Sequence, residues 1–188
     1  MISKIFDRPL TVFSVSCLLA LSACGDNDSK ENRTLADGPG TQSIAALIAG
    51  SSELSSVEAL IENAGLAETF DGIAAYTVFA PNDAALEELG DSFAGDEARP
   101  ALVAILREHI VPGYLTRDDI VSAIESSGEP VEMQTMGAGT LTFSLNEGQL
   151  IVTTTDGDAS SSVTEEMLGA NGVVIPVDSV LKDIEPAA

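Results

Sequence analysis

The 188-residue chain has no tryptophan, two cysteines, one histidine and only 8 Lys plus Arg residues against 30 Asp plus Glu. Each shortage excludes something. The cysteines are Cys17 and Cys24, so nothing beyond residue 24 can form a disulfide framework or a cysteine metal site. The shortage of positive charge leaves a net charge of −22, which repels nucleic acid phosphates and anionic headgroups. No basic stripe is present, so nucleic acid is not an expected partner. Gly137 and Gly139 in "MGAGTL" lack the rest of a phosphate loop, and "GKS" or "GKT" never occurs. Aromatics make up 4% of the chain, so the core must be built from Leu, Ile, Val and Ala.

What is present begins with a leader. Lys4 and Arg8 precede "LTVFSVSCLLALSA", a run of signal-peptide length and short for a membrane span. Then comes Leu21-Ser22-Ala23-Cys24, which looks like a bacterial lipobox with Cys24 as the lipid attachment residue. An ordinary secretory leader cut nearby is the alternative, and it would leave an unpaired exported thiol. The expected organisation is a lipoprotein signal peptide over 1–23, a tether over 24–42 and one domain over 43–186. Cleavage removes Lys4, Asp7 and Arg8, which takes the net charge from −22 to −23. The segment "GDNDSKENRTLADGPGTQ" is too polar to order itself. As a coil it averages roughly 20–25 Å end to end.

Within the domain, Leu54, Val57, Leu60, Ile61 and Ala64 recur at helical spacing, with Gly65 as the stop. "YTVFAPNDAAL", residues 76–86, reads as a strand ended by Pro81, with Asn82 capping a helix that buries Leu86 and Leu89 and Asp83 adding charge at its start. Leu102, Ile105, Leu106, His109 and Ile110 fall on one helical stripe closed by Pro112-Gly113. Thr116 and Asp119 read as a capping box. After residue 129 the texture is β: "TLTFSL", an "NEG" turn and "QLIVTTT" form a hairpin, and "NGVVIPVDSVL" is a final strand in which Pro176 marks an edge or bulge.

The first and last of these motifs resemble the two signatures of the fasciclin (FAS1) domain family, and "ILREHIVPGYLTRDDI" is similar to the stretch between them. The resemblance implies an α+β fold: a β-sandwich wedge of about seven strands with helices packed along one edge. It implies a structural role for Thr77, Phe79, Pro81, Asn82, Asp83, His109, Pro112, Gly113, Gly172 and Asp178. It also implies an extracytoplasmic module for adhesion or protein interaction rather than an enzyme. Asn82 stands where many members have Thr or Ser, Ile175 where many have His, and Glu108 where adhesive animal members often have Tyr.

No catalytic residue, cofactor or metal is therefore assigned. His109 lies on an apolar stripe without a nucleophile motif, which predicts a core imidazole satisfied by a hydrogen bond. The expected partners are Asn82, Asp83 or the backbone of the first signature. Asp156 and Asp158 read as a surface turn. The expected protein is lipid-anchored in the cell envelope, on the periplasmic or surface face, and binds an envelope or extracellular protein or glycan, or itself. The alternative is a small-molecule binder or enzyme with a pocket near His109.

Overall fold

A computed structural model describes residues 40–88, 99–154, 160–163 and 165–181. Cys24, the expected tether up to residue 39, Leu89 and the Asp156–Asp158 turn lie outside the described residues.

Three helices come first: α1 (Ile44–Ala49), α2 (Ser55–Ala64) and α3 (Ala67–Phe70). Gly65 ends α2 in the left-handed conformation, φ 69°, which a Cβ disfavours. The chain then forms β1 (Tyr76–Pro81), α4 (Asp83–Glu87), α5 (Arg99–Glu108), β2 (Ile110–Pro112) and α6 (Arg117–Ser127). The remainder is β3 (Val131–Gln134), β4 (Thr140–Asn146), β5 (Gln149–Thr154), β6 (Ser160–Ser162), β7 (Met167–Leu168) and β8 (Gly172–Val177). Thr116 and Asp119 form a reciprocal capping box on α6. The β4–β5 hairpin turns through Glu147 and Gly148, both at positive φ.

The strands make two four-stranded sheets, ordered β2-β1-β8-β7 and β3-β4-β5-β6. At the centre of the first, β1 and β8 run parallel, with Tyr76 opposite Gly172 and Pro81 opposite Val177. Side chains alternate across a strand, so this pair feeds two cores. Phe79, Val173, Ile175 and Val177 face the second sheet and pack with Leu141, Phe143, Leu150 and Val152. Val78, Ala80 and Val174 face the helices and pack with Ile44, Ile48, Leu54, Val57, Ile61 and Phe70. The helix α6 packs on β3 and β4 and sends Ile120 and Ile124 into the core between the sheets. The architecture is the expected α+β sandwich with packed helices.

Two expectations about elements are corrected. The stripe through His109 is not one helix: α5 stops at Glu108 and Ile110 already belongs to β2. Ile110 is pulled into pairing with Val78, so tertiary pairing overrides the helical period.

Pro81 is the last residue of β1, as expected, and one further backbone bond, from Asn82, follows it. The N–H groups of Tyr76 and Asn82 donate towards β8, to the Asn171 and Val177 carbonyls, and that of Phe79 donates to the His109 carbonyl on the β2 side. Proline at 81 therefore lacks an N–H only on the β2 side, where pairing covers just Tyr76 to Val78. Pro176, expected at an edge or bulge, lies instead in β8, an internal strand that pairs with β1 along its length and with β7 at Val173 and Val174, and Val163 bridges to Val177 beside it.

Candidate functional site

The signature side chains are strung along β1 and β8 and the elements beside them. Thr77 is buried on the central strand, where a hydroxyl needs partners. It donates to the Gly113 carbonyl at 2.9 Å and accepts from the Leu115 N–H at 2.9 Å, gripping the turn after β2. Gly113 adopts φ 119° in that turn, a conformation L-residues avoid. Pro112 is exposed beside it, paired with Tyr76.

Asn82 caps α4 by accepting from the Ala85 N–H at 2.8 Å. Asp83 reaches the other way. Its carboxylate accepts from the Ser55 hydroxyl at 2.7 Å and the Ser56 N–H at 2.8 Å. The N-cap residue of α2, Leu54, has no capping side chain, so Asp83 supplies that cap from a distant segment. The Ser56 N–H, with Ser55, holds its pKa below the ordinary carboxylate value.

His109 is fully buried. Its partners differ from those expected. The imidazole contacts the Ile105 carbonyl through Nδ1 at 2.8 Å, and Nε2 accepts from the Leu181 N–H at 2.9 Å. An amide N–H can only donate, so Nε2 is unprotonated and the proton sits on Nδ1. The ring thus ties the end of α5 to the C-terminal segment, and only its own carbonyl meets the first signature, at the Phe79 N–H, 2.8 Å away. Burial drives its pKa down to about 4, against the opposing pull of the Ile105 hydrogen bond and the Glu108 charge. A ring with both nitrogens engaged and no solvent contact has no free lone pair for a substrate proton.

Glu108, next door, was singled out only as a departure from the family pattern. It is buried as well. Its carboxylate accepts from the Ala138 and Gly139 N–H groups, each at 2.9 Å, and from the Thr135 hydroxyl at 2.7 Å. A Cβ on Gly137 or Gly139 would lie 2.4 or 2.6 Å from this carboxyl group. The glycines of "MGAG" therefore cradle an internal carboxylate. A buried acid would have been an improbable guess from sequence alone.

Gly172 permits the closest approach between the signatures, since its Cβ would meet the Tyr76 carbonyl oxygen at 2.0 Å. Just before it, Asn171 accepts from the Ile44 N–H at 2.9 Å and donates to the Phe70 and Gly72 carbonyls. Asp178 accepts from the Ser161 hydroxyl at 2.6 Å, and the same hydroxyl accepts from the Asp178 N–H. Phe79 stacks at a tilt on Phe143, with centroids 5.1 Å apart. Asn171, Ser161 and Leu181 were not anticipated; only Asn171, an Asn-Gly before a strand, carried any local signal.

An open cleft of about 430 Å³ lies past the ends of β1 and β8, lined by Ser51, Glu53, Asn82, Glu165, Glu166, Met167, Pro176 and Val177. His109 is not among these residues, so the cleft is not the pocket that the alternative reading placed there. Burial raises the Glu166 pKa, although its carboxylate accepts from the Arg117 N–H at 2.6 Å. Among the described residues, no three His, Cys, Asp or Glu side chains are placed to hold a metal ion. No described helix is long and apolar enough to cross a membrane.

Two distant signatures run as neighbouring parallel strands, with Thr77 tied to the turn after β2, Asp83 to α2 and His109 to Leu181, and together they define an α+β sandwich module. The chain belongs to the fasciclin domain family, whose pattern matches residues 52–183. It is 27% identical to Protein sll1483 of Synechocystis sp. over 73% of this chain and 72% of that protein. It is also 27% identical to human Stabilin-1 over 74% of this chain, which spans only 5% of that protein. A solved FAS1 domain pair from the insect cell adhesion molecule Fasciclin I shares the fold. The TM-score is 0.65 at 15% identity, covering 77% of this chain and 52% of that one.

Proposed function

We propose that the protein is an exported fasciclin module, anchored through lipid on Cys24, that serves adhesion or protein–protein interaction at the cell envelope without catalysing a reaction. Family membership over residues 52–183 carries the reading, and the Fasciclin I neighbour, a cell adhesion molecule, points the same way. The leader ending in Leu21-Ser22-Ala23-Cys24 supports export and anchoring. The consumption of Thr77, Asn82, Asp83 and His109 by internal hydrogen bonds supports binding through exposed loops and helix faces instead. The partner is an envelope or extracellular protein or glycan, or a second copy of the chain.

The test is crosslinking and capture from intact cells producing the full chain or its Cys24→Ser variant. The expected result is membrane association that the variant loses, together with a specific captured partner. Membrane association that survives Cys24→Ser would refute the lipid anchor.

A further inference from the structure

The cleft past the ends of β1 and β8 holds about 430 Å³, within the range of a site for one small ligand or one inserted side chain. Its lining divides into two chemistries. Met167, Pro176 and Val177 supply apolar surface, while Glu53, Glu165 and Glu166 supply carboxyl groups. No Lys, Arg or His is among the lining residues. Glu53 and Glu165 are exposed, and Glu166 is half-buried. The Glu166 carboxylate accepts from the Arg117 N–H at 2.6 Å. Its pKa is nevertheless raised, first by burial and then by the charges of Asp118 and Asp119, against the Arg117 hydrogen bond and charge. The negative charge at this wall is thus under-compensated, and an added cation would relieve it.

We infer that the cleft takes a lysine or arginine side chain from a partner protein, with the aliphatic stem on Met167, Pro176 and Val177 and the charged head among Glu53, Glu165 and Glu166. The inference rests on the proposed protein-binding role and names the chemistry of the partner. Three features select this occupant. A basic side chain joins an apolar stem to a cationic tip, which matches the two-part lining. Among the described residues no three His, Cys, Asp or Glu side chains are placed to hold a metal ion, so these carboxyl groups suit a cation carried on a chain rather than a bare one. No aromatic residue lines the cleft, which removes the cage that a quaternary ammonium uses. The net charge of −22 draws basic segments towards the domain from a distance, and the cleft gives one of their side chains a seat.

The test titrates end-blocked Ala-Lys-Ala, Ala-Arg-Ala and Ala-norleucine-Ala into the isotope-labelled full chain and follows the backbone amides by NMR. The expected result is saturable shifts at Glu165, Glu166, Met167 and Val177 with the two basic tripeptides and none with the norleucine one. Glu53→Gln/Glu165→Gln alters two exposed side chains, so the fold should stand, and binding should weaken about fivefold. Glu129→Gln/Glu132→Gln removes the same charge from exposed positions outside the cleft and should leave affinity unchanged. Shifts that do not saturate, or affinities that fall equally in both double variants, would overturn the inference. So would 1,5-diaminopentane binding more tightly than either tripeptide, which would give the cleft to a free diamine. Capture from intact cells separates this inference from the proposed function. A partner lost with Glu53→Gln/Glu165→Gln is the expected result, whereas one retained sinks the cleft and leaves the binding role standing. Should the parent chain capture no partner, the binding role fails, and the titration alone decides the cleft.

Discussion

The two faces of the β2-β1-β8-β7 sheet are held by different means. On the helix side, the core residues of α1 to α3 and β1 come from one stretch, Ile44 to Ala80, joined by Leu106, Ile110 and Val174. Its polar ties are clips on exposed or half-buried groups: Asp83 on Ser55 and Ser56, and Asn171 on Ile44. On the sandwich side, the core collects residues from Phe79 to Leu181. One polar tie at its margin, the imidazole to the Leu181 N–H, is fully buried. Local contacts can tolerate a wet clip because the chain already holds the partners close. A distant segment gains more from a hydrogen bond made away from water, where breaking it strands a donor.

The largest expected effect breaks the sandwich side. Phe143→Ala removes a fully buried ring from against Phe79 and should cost about 3–5 kcal/mol. Because β1 and β8 belong to both cores, the loss should appear as one cooperative transition. Far-UV circular dichroism, which follows the helices, and Tyr76 and Tyr114 emission should give the same urea midpoint. Separate midpoints would mean that the two faces fold independently.

A pH titration sharpens the comparison. His109 has a folded pKa of about 4 against 6.5 for the free side chain, so the unfolded chain binds the extra proton. Its contribution to stability is intact above pH 6.5 and is lost as pH falls through about 4. The change is about 3 kcal/mol. His109→Gln should be less stable at neutral pH and should lack this slope between pH 6.5 and 4. An unaltered slope in that variant would place the acid sensitivity elsewhere.

The smallest effect belongs to the helix-side clip. Asp83→Ala uncaps α2 and should cost about 1 kcal/mol at neutral pH. The Asp83 pKa is lowered on folding, so its contribution is present above the ordinary value of 3.8 and is lost as pH falls through the folded pKa. Thermal unfolding of the variant and the parent should therefore converge in strong acid. A gap that persists there would show that Asp83 acts through packing instead.

The legibility of the chain follows the same division. The α2 stripe of Leu54, Val57 and Ile61, its Gly65 stop and the Thr116–Asp119 box could be read because each is a relation over three or four residues. The β4–β5 hairpin could be read for the same reason. The stripe through His109 misled, because α5 gives way to β2 at a point set by pairing with β1. The site was legible as a set of marked residues and illegible as a set of bonds. Asp83 looked like a local charge and proved to cap a helix 27 positions upstream. Glu108 looked like a variation, and the loop of Gly137 and Gly139 is built around it.

By itself the sequence determined most of the segments: the α2 stripe and its stop, the α6 capping box, which strands are apolar, and that the lone imidazole lay on an apolar face. Those follow from backbone sterics and side-chain periodicity, which act between near neighbours. Only the tertiary structure decided which segments touch: β8 beside β1, Leu181 over His109, and Asn171 between the first helix and the loop after α3. The reason is that a buried donor must find its acceptor in three dimensions, and many chain positions could supply one until packing selects it.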